Sequence, residues 1–477
     1  MVDFPCSSPV LPSDLRMSKK RSVPKKTVLS LGLLCCGLAS IPLLALIAFV
    51  ARYGVDMPNQ DQWEFIPLLQ KFYQGNITFY GLWQQHNEHR IFFPRIVFLV
   101  LARLTHWNIR YELAANMVVA FGTFMVIACQ VRKTAVAIAG RYLIWTIPVI
   151  SLIAFSLAQH ENWLWGWELQ IFMNLLAVVA GIVLLTGGPF RWSRLAFSML
   201  LGIVATYSFS NGAVYWPLGL VLLLFAGPEG RKPKVAACLV WTAVGALTMA
   251  SYLYHWHTNP AHPSLLYIFR HPLDYTEYVL LFLGAPCRAF GGKALCISAG
   301  IIGLLLAIVG PVGLARRRKV EWYVLWPYIG LTLYAVATAA ITGLARAGFG
   351  SDQALSSRYI TVSSLLWIAD VVFLSLVAKF ASQKKSSYVA AGAVVVIALL
   401  AGISSARSIP SGAERRSNLS TVRHEMIVLQ GIYRPDAENA MLGYVYPKPE
   451  VAYSRLWILQ KYHLSLYRPN TDYSDVL

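Results

Sequence analysis

The chain reads as an all-α polytopic membrane protein, and three observations carry that reading. Hydrophobic residues make up 57% of it and charged residues only 13%, about half the charge of a soluble chain of this size. Apolar runs of about 20 residues, the length that crosses a hydrocarbon core as a helix, recur along almost the whole chain. The basic residues fall into short clusters between those runs: Lys19–Lys20–Arg21, Lys25–Lys26, Arg132–Lys133, Arg191 with Arg194, Arg231 to Lys234, Arg316 to Lys319, and Lys384–Lys385. The net charge of +19 therefore marks cytoplasmic loops, not a nucleic-acid face, because no basic surface with interleaved aromatic residues is present. Long apolar spans also exclude an outer-membrane barrel.

Taken in order, residues 1–27 carry Pro, Ser and Lys and predict a disordered cytoplasmic tail. The run at 28–50 is too long for a signal-peptide core and has no small-residue cleavage pattern before Arg52, so it predicts a retained first span. Residues 51–111 form the first outer loop. Within it, 61–75 mixes Trp63, Ile66, Leu68 and Phe72 with polar residues, which predicts a short amphipathic helix on the membrane surface. The stretch 91–104 is apolar, too short to cross, and carries Arg95 and Arg103; it predicts a second juxtamembrane helix.

Further spans are expected at 112–131, 142–158, 171–188, 195–209, 213–226, 235–254, 294–315, 322–344, 359–379 and 388–404, which makes about eleven transmembrane helices in a domain of 28–404. The 195–226 stretch is split at Ser210-Asn211-Gly212, and 276–290 is taken as interfacial. Placed so, every basic cluster falls on the cytoplasmic side, and one missing span would invert half of them. The expected setting is the cell's inner (plasma) membrane, with a cytoplasmic N-terminus and a small extracytoplasmic C-terminal segment at 405–477. The seven cysteines are scattered, and no spacing reads as a zinc site.

This topology gathers the unusual polar groups on the outer face. The first loop supplies Asp56, Asp61, Glu64, His86, Glu88, His89 and Arg90; the 159–170 loop supplies His160, Glu161 and Glu168 among Trp163, Trp165 and Trp167; the 345–358 loop supplies Arg346, Asp352 and Arg358. The cytoplasmic loops hold almost only Lys and Arg, with no Gly-rich phosphate loop for a cytosolic nucleotide. A carboxylate shielded from water accepts a proton from a hydroxyl, and such general base catalysis contributes about 10²–10⁴-fold. Arginine's planar fork binds phosphate through two hydrogen bonds. Together they suit an attacking hydroxyl and a lipid-phosphate leaving group.

Each residue also has a structural reading. Asp61 and Glu64 sit where acids favour a helix N-terminus, and Asp56 serves equally as a loop charge. His86 and His89 flank an acid, as metal ligands do, but ordinary polar contacts explain them as well. Glu88 and Arg90 fit an ion pair, the tryptophans an interfacial aromatic belt, and Arg346 and Arg358 snorkelling span ends. Asp370, near the middle of a span, is expected to face the bundle and pair, since a lone acid there costs about 2.5–3.5 kcal/mol.

In the order of its parts the chain resembles the GT-C superfamily of integral-membrane glycosyltransferases. The stretch DQWEFIPLLQKFYQGN is similar to the segment that carries that family's acid, at Asp61; HNEHRIFFPRIVFLVLARLTHWNIRYELAANM is similar to the stretch that returns along the membrane to the second span. The likeness covers 28–135 in motif detail and the spans to about 405 in layout. It departs where Asp61-Gln62-Trp63-Glu64 replaces Asp-Glu and a small residue, and where His89-Arg90-Ile91-Phe92-Phe93-Pro94 replaces a His-Pro-Pro-Leu-like run, which implies a divergent bacterial branch.

The resemblance implies a GT-C-like fold and inverting transfer of sugar from a polyprenyl-phosphate donor to a glycan, lipid or protein acceptor. Asp61 would be the general base, with Glu64 and Asp56 as further catalytic acids. Arg346 or Arg358 would hold the departing phosphate. His86, Glu88, His89, Arg90, Glu161 and Trp165 would complete substrate binding. No cofactor is required by these residues; Glu88, Glu161 or Asp56 would hold a divalent cation (Mg or Mn) or the sugar hydroxyls. The alternatives are a transporter or flippase for lipid-linked saccharides, which needs symmetric halves and a polar midplane, and a non-catalytic partner in envelope polysaccharide assembly.

Overall fold

A computed structural model describes residues 25–258, 263, 264, 266–428 and 445–469. Most of the expected tail at 1–27 lies outside them. All eleven expected spans are helical. Among the described residues, nine segments are long and apolar enough to cross a membrane: Leu31–Tyr53, Ile109–Ala137, Tyr142–Leu164, Gly166–Thr186, Arg231–Leu253, Lys293–Arg316, Trp322–Phe349, Ser357–Phe380 and Lys384–Ile427. The protein is thus an all-α, multi-pass membrane protein, and no strand occurs among the described residues.

The helices are α1 (Lys25–Tyr53), α2 (Gln62–Tyr73), α3 (Phe79–Trp83), α4 (Phe92–Thr105), α5 (Ile109–Ala137), α6 (Thr146–Ala154), α7 (His160–Leu164), α8 (Leu169–Thr186), α9 (Trp192–Thr206), α10 (Tyr215–Ala226), α11 (Arg231–Leu253), α12 (Tyr267–Arg270), α13 (Pro272–Gly284), α14 (Lys293–Arg316), α15 (Trp322–Arg346), α16 (Ile360–Phe380), α17 (Lys384–Arg407), α18 (Ile409–Val428) and α19 (Pro449–Lys461). The two remaining expected spans are the short apolar helices α9 and α10, of 15 and 12 residues. Between them the chain folds back tightly at the split expected from Ser210-Asn211-Gly212. A Cβ on Gly212 would lie 2.2 Å from the Ala205 carbonyl oxygen, so only glycine fits. Asn174 Nδ2 donates to that same oxygen at 3.0 Å, satisfying a helix end that lipid could not.

Lipid gives helices no hydrophobic reason to associate, so the bundle relies on close packing and buried polar contacts. Helix α13, too short to cross, meets α14 backbone to backbone: Cβ atoms at Gly284 and Gly300 would lie 1.8 Å from Cys296 O and 2.3 Å from Leu280 O. Its side chains Tyr278, Leu281, Phe282 and Leu283 are buried. The 276–290 stretch is therefore an integral part of the bundle. Helix α16 is buried along nearly its whole length and forms the bundle's axis. Asp370 on it is fully buried as expected, yet neither of its carboxylate oxygens has a hydrogen-bond partner among the described residues, which corrects the expected pairing.

A second core lies beyond the spans. Trp63, Phe65, Ile66 and Leu69 of α2 pack with Phe98 and Leu99 of α4, with Leu419, Val422 and Met426 of α18, and with Leu456 and Leu459 of α19. The apolar face of α2 thus meets protein, correcting the expectation that it lies on the membrane. Helix α4 keeps an outward apolar stripe of Ile96, Val100 and Leu104, as a juxtamembrane helix would. The C-terminal segment is stitched to the first loop by Gln60 N to Val445 O (2.6 Å), Arg455 Nη1 to Trp63 O (2.6 Å) and Ser465 N to His106 O (2.9 Å). The two stretches fold as one module.

Candidate functional site

The module places Asp61 at the N-terminal edge of α2. Its backbone is already helical and its side chain makes no capping hydrogen bond, so the carboxylate is not spent on the helix end. Its Oδ2 lies 3.4 Å from His86 Nε2, and Glu64 Oε2 lies 3.4 Å from His86 Nδ1. His86 is fixed by a tight turn in which His86 and His89 exchange two backbone hydrogen bonds of 2.8 Å, with Asn87 at φ +48°. Trp167 stands edge-on to the His86 ring at 5.1 Å and stacks on Phe98 at 5.2 Å. A small polar cavity opens beside this cluster, bordered by Glu64, Lys71, Gln84, His86, Arg95 and Trp167.

The turn's other residues reach the neighbouring loops. Glu88 pairs with Arg346 at the end of α15, and His89 Nε2 lies 3.7 Å from Glu88. The expected Glu88–Arg90 pair does not form. Arg90 instead gives its guanidinium to backbone carbonyls, with Nε to Tyr252 O at 2.7 Å, Nη2 to Tyr254 O at 2.5 Å and Nη1 to Trp83 O at 3.2 Å, and it lies 3.8 Å above the Trp83 ring. Its binding role is structural: it ties the end of α11 to the first loop. His89 stacks on Phe209 at 4.4 Å and accepts from Ser210 N at 3.3 Å. Burial pushes its pKa down to about 4, against the opposing pull of Glu88.

The third loop closes the site. Ser356 Oγ donates to Glu161 Oε2 at 2.9 Å, and Glu161 N donates to Ser357 Oγ at 3.2 Å. Arg358 lies in the electrostatic field of Glu168, Glu161 and Asp61, and its buried Nε has no hydrogen-bond partner among the described residues. Asn162 Nδ2 donates to Arg358 O at 2.9 Å and so fixes the loop. Trp163 and Trp167 are buried in protein, which corrects the aromatic-belt reading; Trp165, half-buried, donates to Asn59 O at 3.1 Å.

Of the residues expected here, Asp61, Glu64, His86, Glu88, His89, Glu161, Arg346 and Arg358 share one neighbourhood, with Trp165 at its edge. Asp56 does not contribute a free carboxylate. It is buried, Oδ1 accepts from Ile109 N at 2.9 Å, and Oδ2 is paired with Arg468 Nη2 at 2.6 Å. It anchors the start of α5 and the C-terminal segment, so both oxygens are occupied.

Two groups escaped the sequence reading. Glu112 is buried on α5 and accepts from Gln62 Nε2 at 2.6 Å and Trp107 Nε1 at 2.8 Å, bracing the turn that carries Asp61. Tyr446 donates to Glu64 Oε1 at 2.6 Å. Glu112 had a faint signal as an acid inside an apolar run; Tyr446 had none. The donors that a divalent cation would need are otherwise engaged: Glu88 with Arg346, Glu161 with Ser356, Asp56 with Arg468. No group of three or more His, Cys, Asp or Glu side chains gathers at ligating distance among the described residues.

The arrangement can take a proton at Asp61, order a polar substrate in the cavity, and face an anion with Arg358. Comparison with models of known protein families, with curated proteins and with solved structures gave no match.

Proposed function

We propose that the protein is a GT-C-like glycosyltransferase of the bacterial plasma membrane, moving sugar from a polyprenyl-phosphate carrier to an acceptor hydroxyl on the extracytoplasmic face. The observation that carries the reading is that Asp61, from the first loop, lies within electrostatic reach of Arg358, from a loop nearly three hundred residues later, beside Glu168 and Glu161. Asp61 is uncapped and one-third exposed, so its oxygens can reach a substrate proton. Arg358 has an unspent donor for the departing phosphate. A small apolar groove between α16 and α17 supports a lipid carrier. It is lined by Trp367, Leu400 and Ala401 and bordered by Ile360, two residues past Arg358. The acceptor would enter the polar cavity beside His86. The basic clusters at the opposite helix ends support a cytoplasmic N-terminus.

In the step, the acceptor oxygen attacks the anomeric carbon from the face opposite the phosphate, Asp61 takes its proton, and the phosphate leaves with the bonding pair. The test is incubation of purified protein with a panel of polyprenyl-phosphate sugars, scoring free polyprenyl phosphate. Asp61→Asn is expected to lower kcat by about 10²–10⁴-fold at unchanged expression; full activity in that variant removes the base assignment. Asp370 favours a second reading, transport of a lipid-linked saccharide, because a buried acid without a partner is a natural proton site. Movement of the labelled lipid across vesicles without release of polyprenyl phosphate would select it.

A further inference from the structure

The His86 side chain touches both candidate catalytic carboxylates, Asp61 and Glu64. Its ring nitrogens face Asp61 and Glu64 at 3.4 Å each. Apo contacts of that length tighten when substrate fills a site. The ring is buried and held by the 86–89 turn and by Trp167, whereas the Asp61 and Glu64 side chains are 33% and 35% exposed. Glu64's second oxygen is held by the Tyr446 hydroxyl at 2.6 Å. Four groups from three distant stretches thus form one file: Asp61, His86, Glu64, Tyr446. The other charges around the ring are Lys71 of α2 and Arg95 of α4 across the cavity, and Glu88, His89 and Arg346 on the far side of the turn.

We propose, resting on the transferase reading, that His86 is a positioning residue that clears the proton from Asp61 to Glu64, and that Tyr446 holds Glu64 to receive it. When the acceptor O–H bond breaks, its proton passes to Asp61, the O–C bond to the sugar forms, and the C–O bond to phosphate breaks with its electron pair on the phosphate oxygen. Asp61 then gives the proton to Nε2 of the neutral ring, Nδ1 gives its own to Glu64, and Glu64 releases it to water. The ring ends in its other tautomer and returns through exchange with solvent. Asp61 is a carboxylate again, and no co-reactant is consumed.

Two measurements on the full-length protein in nanodiscs decide it. In steady-state release of polyprenyl phosphate, His86→Gln and Glu64→Gln are expected to lower kcat about ten- to a hundredfold, below the full general-base contribution, with the pH–rate profile altered. Tyr446→Phe removes one hydroxyl and no bulk; it is expected to give a smaller loss with the same change of profile, and it serves if His86→Gln fails to fold. Independently of turnover, with ¹⁵N-labelled histidine, Asp61→Asn should move the Nε2 resonance of His86 and Glu64→Gln the Nδ1 resonance. Wild-type kcat and pH profile in His86→Gln, or resonances indifferent to both substitutions, overturn the proposal. Inactivity of wild-type protein with every donor would sink the transferase reading instead, and the ring resonances would still judge the file of contacts.

Discussion

A histidine largely withdrawn from water resists taking a charge, and His89, 14% exposed, shows the cost. An unfolded histidine titrates near 6.5, whereas burial holds this one at about 4. As pH falls between those values the unfolded chain takes the proton first. The stability His89 contributes is therefore complete above about pH 6.5 and is lost as pH falls toward 4. The melting temperature in detergent is expected to drop across that window, and His89→Phe, which keeps the stacking on Phe209, should flatten that part of the curve; equal slopes in both proteins would contradict it. At this scale the sequence was legible for type and place but not for partner. Asp61, His86 and Arg358 stood out because an apolar chain has no packing use for them. That Arg90 serves carbonyls, that Asp56 serves Arg468, and that Asp370 lacks a partner depend on residues far away in the chain, which no local pattern encodes.

Helix existence and order were legible because hydropathy and length obey the thickness of the hydrocarbon core. The occupant of an amphipathic face was not. The pattern of α2 records that one side avoids water, and lipid and protein satisfy that equally; only the packed α4, α18 and α19 show that protein does. The short helices α9 and α10 depend on side chains, such as Asn174, that supply what their interrupted backbone lacks. The α13–α14 contact depends on two glycines. Gly300→Val is expected to force those helices apart and destabilise the protein by at least the roughly 1–3 kcal/mol typical of overpacking, read as a lower melting temperature. Gly392→Val, at a position with open space, is the control and should change little.

Seen whole, the protein joins two bodies that cohere for different reasons. The spans hold by close fit and polar stitching, while the module of the first loop and C-terminal segment draws on the burial of Trp63, Phe65, Leu456 and their neighbours, each worth roughly 1.5–3 kcal/mol. Removal of residues 445–477 takes away α19, Tyr446, Arg455 and Arg468 together. The truncated chain is expected to insert normally, as read by reporters on the loops between its spans, but to become protease-sensitive between residues 55 and 108 and, on the transferase reading, to lose transfer. A fully protected first loop would show that it folds unaided.

That partnership also sets a schedule. The Asp61 segment leaves the ribosome almost four hundred residues before Val445 and α19 do. At ordinary rates of synthesis the interval is roughly 20–80 s. Throughout it the greasy side of α2 has only α4 and its near neighbours for cover, a standing invitation to chaperones and proteases, and the shared core stays incomplete until α18 and α19 have been made.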